Sequence, residues 1–237
     1  MKYAGHPLRY SFLYPATRLL MRPLPVRTEG QEYDVGVTPE LHAQGRTELP
    51  PDSTEPYVEY RCLIELTARA LLRYDCTIFH AASFVWRDRA WLLTAPSGVG
   101  KTTQVLNWLR LFPDELTVIS GDMPLLEARR DGSVWVHPSA WNGKECLYSN
   151  RIAPLGGLVL LEQGAENRIA PMELENDLMK LFRQIMVQPE TEDEIRRMAR
   201  LLDQTLRTAP SWAFTNLGDD ASTLLLRETL LGAPERT

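Results

Sequence analysis

Several stretches of the chain carry apolar residues at the three- to four-residue spacing of an amphipathic helix. This spacing predicts helices over 57–74 and 103–111. Two further apolar faces, nearer the end of the chain, each predict a helix. The first consists of Leu174, Leu178, Leu181 and Ile185, and the second of Ile195, Met198, Leu202 and Leu206. A last helix is expected to begin at Asp219 or Asp220, since either side chain can cap it.

Short runs rich in β-branched and aromatic residues lie between these helices and are bounded by turn residues. They predict strands over 77–86, 90–94, 116–120, 125–128, 133–136, 158–161 and 212–214. The connection Arg87-Asp88-Arg89 is short enough to make the first two an antiparallel pair, and Asp131-Gly132 is a strong hairpin signal. Strands interspersed with helices in this order predict an α/β protein, with a mixed β-sheet flanked by helices and a helical C-terminal part.

The first 56 residues follow a different pattern. Pro15, Pro23 and Pro25 interrupt short apolar runs, which predicts short strands and turns with little helix. The polar, proline-rich stretch over 48–56 is typical of a linker. We therefore expect a small β-rich N-terminal module with its linker over 1–56, and one α/β domain over 57–237.

The composition narrows the class of protein. Of 237 residues, 44% are hydrophobic and 24% are charged, as in an ordinary folded chain. The net charge of -5 argues against a nucleic-acid or anionic-membrane surface. The three cysteines lack the spacing of a disulfide framework or a zinc site. Because no signal-peptide pattern and no membrane-length apolar run occurs, we expect a cytoplasmic protein without membrane or nucleic-acid partners.

The strongest chemical signal lies between the strand over 90–94 and the helix over 103–111. A phosphate-binding loop is predicted there, formed by Pro96, Ser97, Gly98, Val99, Gly100, Lys101, Thr102 and Thr103. Its glycines let the backbone curl, so that N–H groups and the positive end of the next helix face phosphate oxygens. Lys101 would reach the β- and γ-phosphates of ATP, and the Thr102 hydroxyl would bind Mg²⁺. Ala95 stands where this motif usually has its first glycine.

A second ligand for Mg²⁺ is expected at the end of another strand. Asp122 follows the apolar run over 116–120, and open α/β sheets bind ligands at the carboxyl ends of their strands. The spacing from Lys101 favours a strand adjacent to the one that precedes the loop. A simple surface turn at Gly121-Asp122 is the alternative.

His80, the strand pair after it, the loop over 97–102 and Asp122 together resemble the catalytic core of HPr kinase/phosphorylase. The Ser-Gly-x-Gly-Lys-Thr-Thr form also resembles ATP-dependent phosphoenolpyruvate carboxykinase, which shares that fold. The resemblance covers roughly 74–162 and is strongest to stand-alone HPr-kinase relatives, some of which accompany genes for modified peptides. It implies transfer of a phosphoryl group from ATP to a hydroxyl, often a serine, of a peptide, protein or free amino acid. Relatives in this superfamily often assemble, so a homo-oligomer is one expectation.

The same resemblance assigns roles by position. Asp122 matches the second aspartate of the family's Asp-Asp pair, and His80 matches a histidine close to the reaction centre. The first aspartate, which usually acts as acid and base, is Gly121 here. Asp122 or His80 would then take over proton transfer, although a histidine in an apolar strand is often only a hydrogen-bonded core residue. The arginine-bearing signature loop of HPr kinases is not visible, so HPr itself is not the expected substrate.

Lys144 and Glu145 lie on a turn that we expect to overhang the phosphates. Only four of the 26 basic residues are lysines, which makes each lysine worth examining. Lys144 would neutralise charge on the γ-phosphate, and Asn150 and Arg151 are second choices for this role. A solvated loop is the alternative interpretation.

Two other functions stay open at the level of the sequence. Since Gly121 replaces the family's acid/base residue, a non-catalytic nucleotide-binding regulatory protein is the main alternative to a kinase. Carboxykinase chemistry is less favoured, because the sequence lacks a recognisable arginine and metal-ligand set for an oxaloacetate site.

Overall fold

Two β-sheets with helices packed against them make up the chain in the computed structural model, which describes residues 2–21 and 33–233. The first elements are β1 (Lys2–Tyr3), β2 (His6–Ser11), α1 (Thr17–Leu20), β3 (Tyr33–Gly36), α2 (Pro39–Thr47) and α3 (Glu55–Leu72). The smaller sheet has the order β1-β2-β3, with an antiparallel first pair and a parallel second pair.

The expectation of little helix before residue 57 is wrong, because α2 lies in this segment. The Thr38 side chain accepts a hydrogen bond from the Leu41 N–H at 3.2 Å, and Pro39 occupies the first helical position. A capping threonine followed by proline is a local helix-start signal that the sequence carries. Pro23 and Pro25 lie outside the described residues.

The buried carboxylate of Glu59 fastens the N-terminal segment to α3. It accepts hydrogen bonds from the backbone N–H groups of Leu13 and Tyr14 and from the Thr17 hydroxyl. Tyr3 and several other apolar side chains of this segment belong to the same buried cluster as α3. The division of the chain at residue 56 stays a prediction.

The remaining elements build the larger sheet and its helices. They are β4 (Cys76–Ile78), β5 (Ala81–Trp86), β6 (Arg89–Thr94), α4 (Lys101–Leu111), β7 (Thr117–Ser120), β8 (Leu125–Ala128), β9 (Val134–His137), β10 (Ala153–Gln163), β11 (Arg168–Pro171), α5 (Leu174–Phe182), α6 (Glu192–Thr208), β12 (Ser211–Asn216) and α7 (Asp220–Leu231). The sheet runs β4-β8-β9-β10-β6-β5-β7, with β12 paired to β10 and β11 paired to β12. The predicted mixed α/β architecture is confirmed.

The central strands are buried on both faces. Along β10, Leu158 and Leu160 belong to the apolar cluster that includes α3 and α6, whereas Val159 and Leu161 belong to the cluster that includes α4 and α7. A strand covered on both sides needs apolar side chains at consecutive positions. This explains why the segment reads as an unbroken apolar run. Within the described ranges, no helix is long and apolar enough to cross a membrane.

Two predictions about strands are corrected. The run over 77–86 is two strands, since the chain leaves the sheet at Phe79 and His80. There the N–H of His80 donates to the Gln184 carbonyl at 2.8 Å, and Phe79 forms an isolated bridge with Ile185. Second, β7 is not adjacent to β6: β5 lies between them and pairs antiparallel with both. The predicted pair of β5 and β6 is confirmed, as is the hairpin of β8 and β9.

Candidate functional site

Four strands of the larger sheet end at one edge. β6, β10 and β12 are parallel, and β7 points the same way because β5 is antiparallel to both β6 and β7. The ends of these strands carry the loop over 95–100 after β6, Asp122 after β7, Gln163 at the end of β10 and Asn216 at the end of β12. His80 lies at the same edge, just before the start of β5. This is the edge at which open α/β sheets bind ligands.

The loop over 95–100 owes its shape to two glycines. Gly98 has φ +83° and Gly100 has φ +115°, a region that side chains with a Cβ rarely adopt. A Cβ on Gly98 would have no atom within 4 Å, so the backbone conformation, not crowding, requires glycine there. The Gln163 amide donates to the Gly98 carbonyl at 3.3 Å and ties the loop to the end of β10. Directly after Gly100, α4 begins.

Lys101 is a buried cation at the first position of α4. The side chain is 6% exposed, and its ammonium donates to the carbonyls of Ala95 at 2.9 Å and Pro96 at 3.3 Å. No carboxylate in the part of the chain that the structure describes forms an ion pair with it. Burial lowers the pKa of Lys101, and the negative charge of Asp122 partly offsets this. A buried positive charge at a helix N-terminus favours an anion.

The other residues of the predicted loop differ in exposure. Pro96, Ser97 and Gly98 are exposed, and Val99, Gly100 and Thr102 are half-buried. Thr103 is exposed, and its methyl group faces Gly218 in the turn between β12 and α7. Solvent therefore reaches the backbone of the loop and part of Thr102.

A buried polar network holds the helix of this loop in place. The Gln104 amide donates to Asn216 Oδ1 at 3.3 Å and to Ser222 Oγ at 2.6 Å, and its oxygen accepts from the Thr223 hydroxyl at 3.0 Å. Asn216 in turn donates to the Glu162 carbonyl at 3.1 Å. The network joins α4, α7 and the ends of two strands. Sequence reasoning missed it, although a glutamine on the apolar face of α4 is a local sign of such a contact.

His80 and Asp122 meet at the sheet edge. The imidazole Nε2 lies 3.3 Å from Asp122 Oδ1, and Nδ1 lies 3.0 Å from Gln184 Oε1. The Thr94 hydroxyl donates to the His80 carbonyl at 2.8 Å, which links the histidine to the strand before the loop. Asp122 is also close enough to Tyr60 to raise the pKa of its phenol, after the larger effect of burial. Gln184 and Tyr60 are site residues that sequence reasoning missed.

The connection over 141–148 packs directly on Asp122. The Gly121 N–H donates to the Leu147 carbonyl at 2.8 Å. A Cβ on Gly121 would lie 3.0 Å from the Asn142 carbonyl oxygen and 3.3 Å from the Leu147 Cβ, and one on Gly143 would lie 3.2 Å from the Asp122 Cβ. Position 121 therefore has no room for a larger side chain unless this connection moves.

Lys144 and Glu145 lie on the same connection and are exposed. Within the ranges 2–21 and 33–233 the Lys144 side chain forms no ion pair or hydrogen bond, and Glu145 Oε2 would lie 3.6 Å from a Cβ on Gly143. Asn150 and Arg151 are exposed as well. The structure thus brings the backbone of this turn to Asp122 but gives the Lys144 side chain no partner among the described residues.

Lys180, one of the four lysines of the chain, also lies near this edge. Its ammonium donates to Glu162 Oε1 at 2.6 Å and to Asp177 Oδ1 at 2.8 Å. These carboxylates raise the pKa of Lys180. The contacts attach the last turn of α5 to the end of β10, close to the loop that Gln163 contacts.

Two side chains near the loop have the chemistry of Mg²⁺ ligands. Among the described residues, no group of three or more histidine, cysteine or acidic side chains is arranged to hold a metal ion. Mg²⁺ bound with a nucleotide typically takes one or two protein ligands and completes its shell with water and phosphate oxygens. The Thr102 hydroxyl and the Asp122 carboxylate match that requirement in number and chemistry.

No protein-family model matches the chain, and no curated protein matches it. Among solved structures, the Hpr(Ser) kinase/phosphatase from Coxiella burnetii matches with 12% identity and a TM-score of 0.37, over 65% of this chain and 97% of that one. This match indicates a distant structural relationship.

Proposed function

We propose that the protein is an ATP-dependent phosphotransferase that transfers the γ-phosphoryl group to a hydroxyl. The observation that carries the proposal is the buried Lys101 ammonium, which has no carboxylate partner among the described residues and lies beside an open, glycine-shaped loop. Leaving a charge buried without an ion-pair partner is costly, so such a site favours an anion of matching shape. The triphosphate of ATP is that anion, held by the loop over 96–103.

The acceptor side of the site supports phosphoryl transfer in particular. His80 and Asp122 form a 3.3 Å pair at the same sheet edge as the loop. The acceptor oxygen would attack the γ-phosphorus. The bond between the γ-phosphorus and the β,γ-bridging oxygen would break at the same time, and ADP would leave with the electron pair of the broken bond. The hydroxyl proton would move to His80 Nε2, which faces Asp122.

Thr102 and Asp122 would hold Mg²⁺. When bound, this ion would neutralise negative charge on the phosphates. Two lysines of the chain would neutralise phosphate charge as well: Lys101 from within the loop, and Lys144 from the connection over 141–148. Glu145, on the same connection as Lys144, would help to orient the acceptor. These last two roles rest on the proximity of that connection to Asp122.

The resemblance to HPr kinase supports an acceptor of the serine type, in a peptide, a protein or the free amino acid. The proton acceptor, however, differs from the family's pattern. The family's first aspartate would require the connection over 141–148 to shift, because a Cβ at position 121 lies 3.0 Å from the Asn142 carbonyl oxygen. We therefore assign proton transfer to His80.

The crowding at Gly121 also favours a second candidate function. A chain that lost its acid/base residue and filled the space with the connection over 141–148 would bind nucleotide without transferring phosphate. Such a protein would act as a nucleotide-dependent regulatory or interaction partner, with the same loop and the same Lys101.

Two measurements distinguish these functions. Calorimetry with ATP and Mg²⁺ should show binding in the wild type, a loss of at least about tenfold in affinity for Lys101→Met, and no change for Arg200→Met, an exposed charge on α6. Equal affinity in the wild type and Lys101→Met would overturn both functions. Incubation with γ-labelled ATP and serine, serine-containing peptides or proteins should yield a labelled acceptor. Tight binding without any labelled acceptor would favour the regulatory protein.

A further inference from the structure

We propose that a cavity between α2, α3 and the connection over 186–190 binds a basic side chain of the peptide or protein acceptor. The cavity has a volume of about 580 Å³. Its preference for a group that is both basic and partly apolar follows from the lining. That this group belongs to the acceptor rests on the proposed function.

The cavity lies next to the acceptor side of the candidate site. On α3, the lining includes Arg61, directly after Tyr60, and the pKa of the Tyr60 phenol is raised by burial and then by the charge of Asp122. On the other wall, the lining residue Met186 is two residues from Gln184, which belongs to the site. A peptide whose hydroxyl lies at the site would therefore continue into the cavity.

The lining combines apolar side chains with carboxylates. The apolar side chains are those of Leu41, Leu49, Leu66 and Met186, and the carboxylates are those of Glu48, Glu65 and Glu190. Arginine and lysine have an aliphatic stem and a charged head, so they match both parts of this lining. An acidic side chain would meet like charge, and a purely apolar one would gain nothing from the carboxylates.

The carboxylates outnumber the cation that pairs with them. Arg69 forms ion pairs with Glu65 at 2.8 Å and with Glu190 at 2.9 Å. It forms a third with Glu194 at 3.0 Å. Glu48 has no ion-pair partner within residues 2–21 and 33–233. Three carboxylates thus share one guanidinium and a fourth is unpaired, which leaves this wall with excess negative charge.

The thiol of Cys62, in the cavity wall, lies in the field of these carboxylates. Burial raises the pKa of Cys62, and the negative charges of Glu48, Glu65 and Glu59 raise it further. Arg61, the second cation of the lining, is exposed and forms no ion pair in the described part of the chain. The electrostatic potential at the wall is therefore negative and attracts a cation.

The length of α3 sets the spacing that we expect in a substrate. Tyr60 and Glu65 lie five residues apart, which is about 7.5 Å along a helix. An extended peptide advances by about 3.3 Å per residue. The basic residue is therefore expected about two to four positions from the hydroxyl that receives the phosphate.

Peptide binding tests the cavity without any turnover. The probe is a fluorescein-labelled peptide, Ala-Leu-Arg-Ala-Ala-Ser-Ala-Ala, and its counterparts carry glutamate or norleucine in place of arginine. Each is also made with the substituted residue after the serine instead of before it. Fluorescence anisotropy with the full-length protein should show that the arginine peptide, in one of the two orders, binds at least about tenfold more tightly than the glutamate peptide. The norleucine peptide should lie between them.

Two variants locate the binding in the cavity. Glu48→Lys reverses the charge of the unpaired carboxylate and should remove most of the preference for arginine over glutamate. Gln44→Trp adds a bulky ring to the lining and should weaken binding of the arginine peptide at least about fivefold. Both positions are exposed, so neither change disturbs the core.

Each variant has a matched control. Glu228→Lys, on α7, makes the same change in net charge as Glu48→Lys, and Ala43→Trp adds the same ring at an exposed position of α2 outside the lining. Both controls should bind the peptides as the wild type does. Equal affinity of the wild type for the arginine and glutamate peptides would overturn the proposal, and so would equal losses in the variants and their controls.

The labelled-ATP assay links the cavity to the reaction. The arginine peptide should be the better acceptor, with a lower KM than the glutamate peptide. Phosphorylation that does not depend on the basic residue would overturn the role of the cavity in acceptor recognition and leave the proposed function intact. An inactive wild type that still shows the binding preference would refute the proposed function and support the cavity as a site for a basic group.

Discussion

The imidazole of His80 and the carboxylate of Asp122 lie 3.3 Å apart, although His80 precedes β5 and Asp122 follows β7. The pairing of β5 with β7 brings them together, because Ser83 is opposite Ser120 and the start of one strand meets the end of the other. The Ala81 N–H also donates to the Asp122 carbonyl at 2.8 Å. The pair therefore follows from the strand order, and it defines the acceptor side of the candidate site.

Replacing Asp122 should separate turnover from binding. Asp122→Asn keeps the shape of the side chain but removes its charge, so it would no longer stabilise an imidazolium at His80 or hold Mg²⁺ strongly. We expect kcat to fall about 100-fold or more, with ATP affinity within about tenfold of the wild type. Calorimetry and the labelled-ATP assay measure the two quantities. Asp114→Asn, an exposed aspartate in a loop, serves as the control, and equal losses in both variants would contradict the assignment.

Two glycines with the same backbone strain but different positions test the loop. Gly98 has φ +83° and Gly132, in the hairpin of β8 and β9, has φ +88°, and neither has an atom within 4 Å of a built Cβ. Alanine at either position should cost about 1 kcal/mol in the free energy of unfolding, since only the backbone conformation is penalised. Urea unfolding measures this loss.

Only Gly98→Ala should also weaken ATP binding, because its backbone belongs to the proposed phosphate loop. Calorimetry of both variants gives the comparison. If Gly132→Ala loses as much affinity as Gly98→Ala, the effect comes from general destabilisation and the loop has no special part in binding.

The buried charge of Lys101 should make stability depend on pH. Burial lowers the pKa of Lys101 below its ordinary value of 10.5, so the unfolded chain binds this proton more tightly than the native chain. Where the unfolded state holds more protons, the free energy of unfolding rises with pH. The penalty from Lys101 is therefore complete below the lowered pKa and is relieved as pH rises towards 10.5.

The Lys101→Met variant has no titratable group at this position. Urea unfolding of the wild type and the variant between about pH 7 and pH 10 should show the wild type gaining stability relative to Lys101→Met as pH rises. Taking the difference cancels the titration of other groups that both proteins share. A difference that stays constant over this range would contradict the lowered pKa.

Restoring the aspartate of the HPr-kinase pattern should fail at position 121. Gly121→Asp introduces a side chain whose Cβ alone would lie 3.0 Å from the Asn142 carbonyl oxygen. We expect a loss of about 1–3 kcal/mol in the free energy of unfolding and no gain in phosphoryl transfer. Gly121→Ala separates crowding from charge. A stable and more active Gly121→Asp would show instead that the connection over 141–148 moves aside readily.

Glu59 should hold the N-terminal segment against α3. Glu59→Ala removes an acceptor that serves Leu13, Tyr14 and Thr17, and it leaves the buried Thr17 hydroxyl without this partner. A loss of about 2–4 kcal/mol in the free energy of unfolding is expected, together with faster proteolysis before residue 22. Glu228→Ala, at an exposed position on α7, is the control for both measurements. Unchanged proteolysis would show that other contacts suffice to hold the segment.

Features that depend on neighbouring residues were predictable. The hairpin of β8 and β9 follows from Asp131-Gly132 between two apolar runs, and the loop before α4 follows from its glycines and Lys101. Both signals act over a few residues, because turn conformations and helix starts are set by local sterics and hydrogen bonds. The helix start at Thr38 and Pro39 is an equally local signal.

Features that depend on the order of strands in the sheet were not predictable from the sequence. Alternation and β-branched residues identify a strand but not its neighbours, so the position of β5 between β6 and β7 was not predicted. For the same reason, Gln184 could not be linked to His80 from the chain alone, since their contact needs α5 to end beside the start of β5.

Residue chemistry and local conformation thus follow from short-range patterns: a loop suited to phosphate, an acid after a strand, and a histidine before one. Which of these groups share a site was decided by packing across the whole chain. Strand pairing is a competition among many apolar segments of similar propensity, and only the complete set of contacts selects one order. That order joins His80 to Asp122 and Gln184, and it leaves Lys101 buried without an ion pair among the described residues.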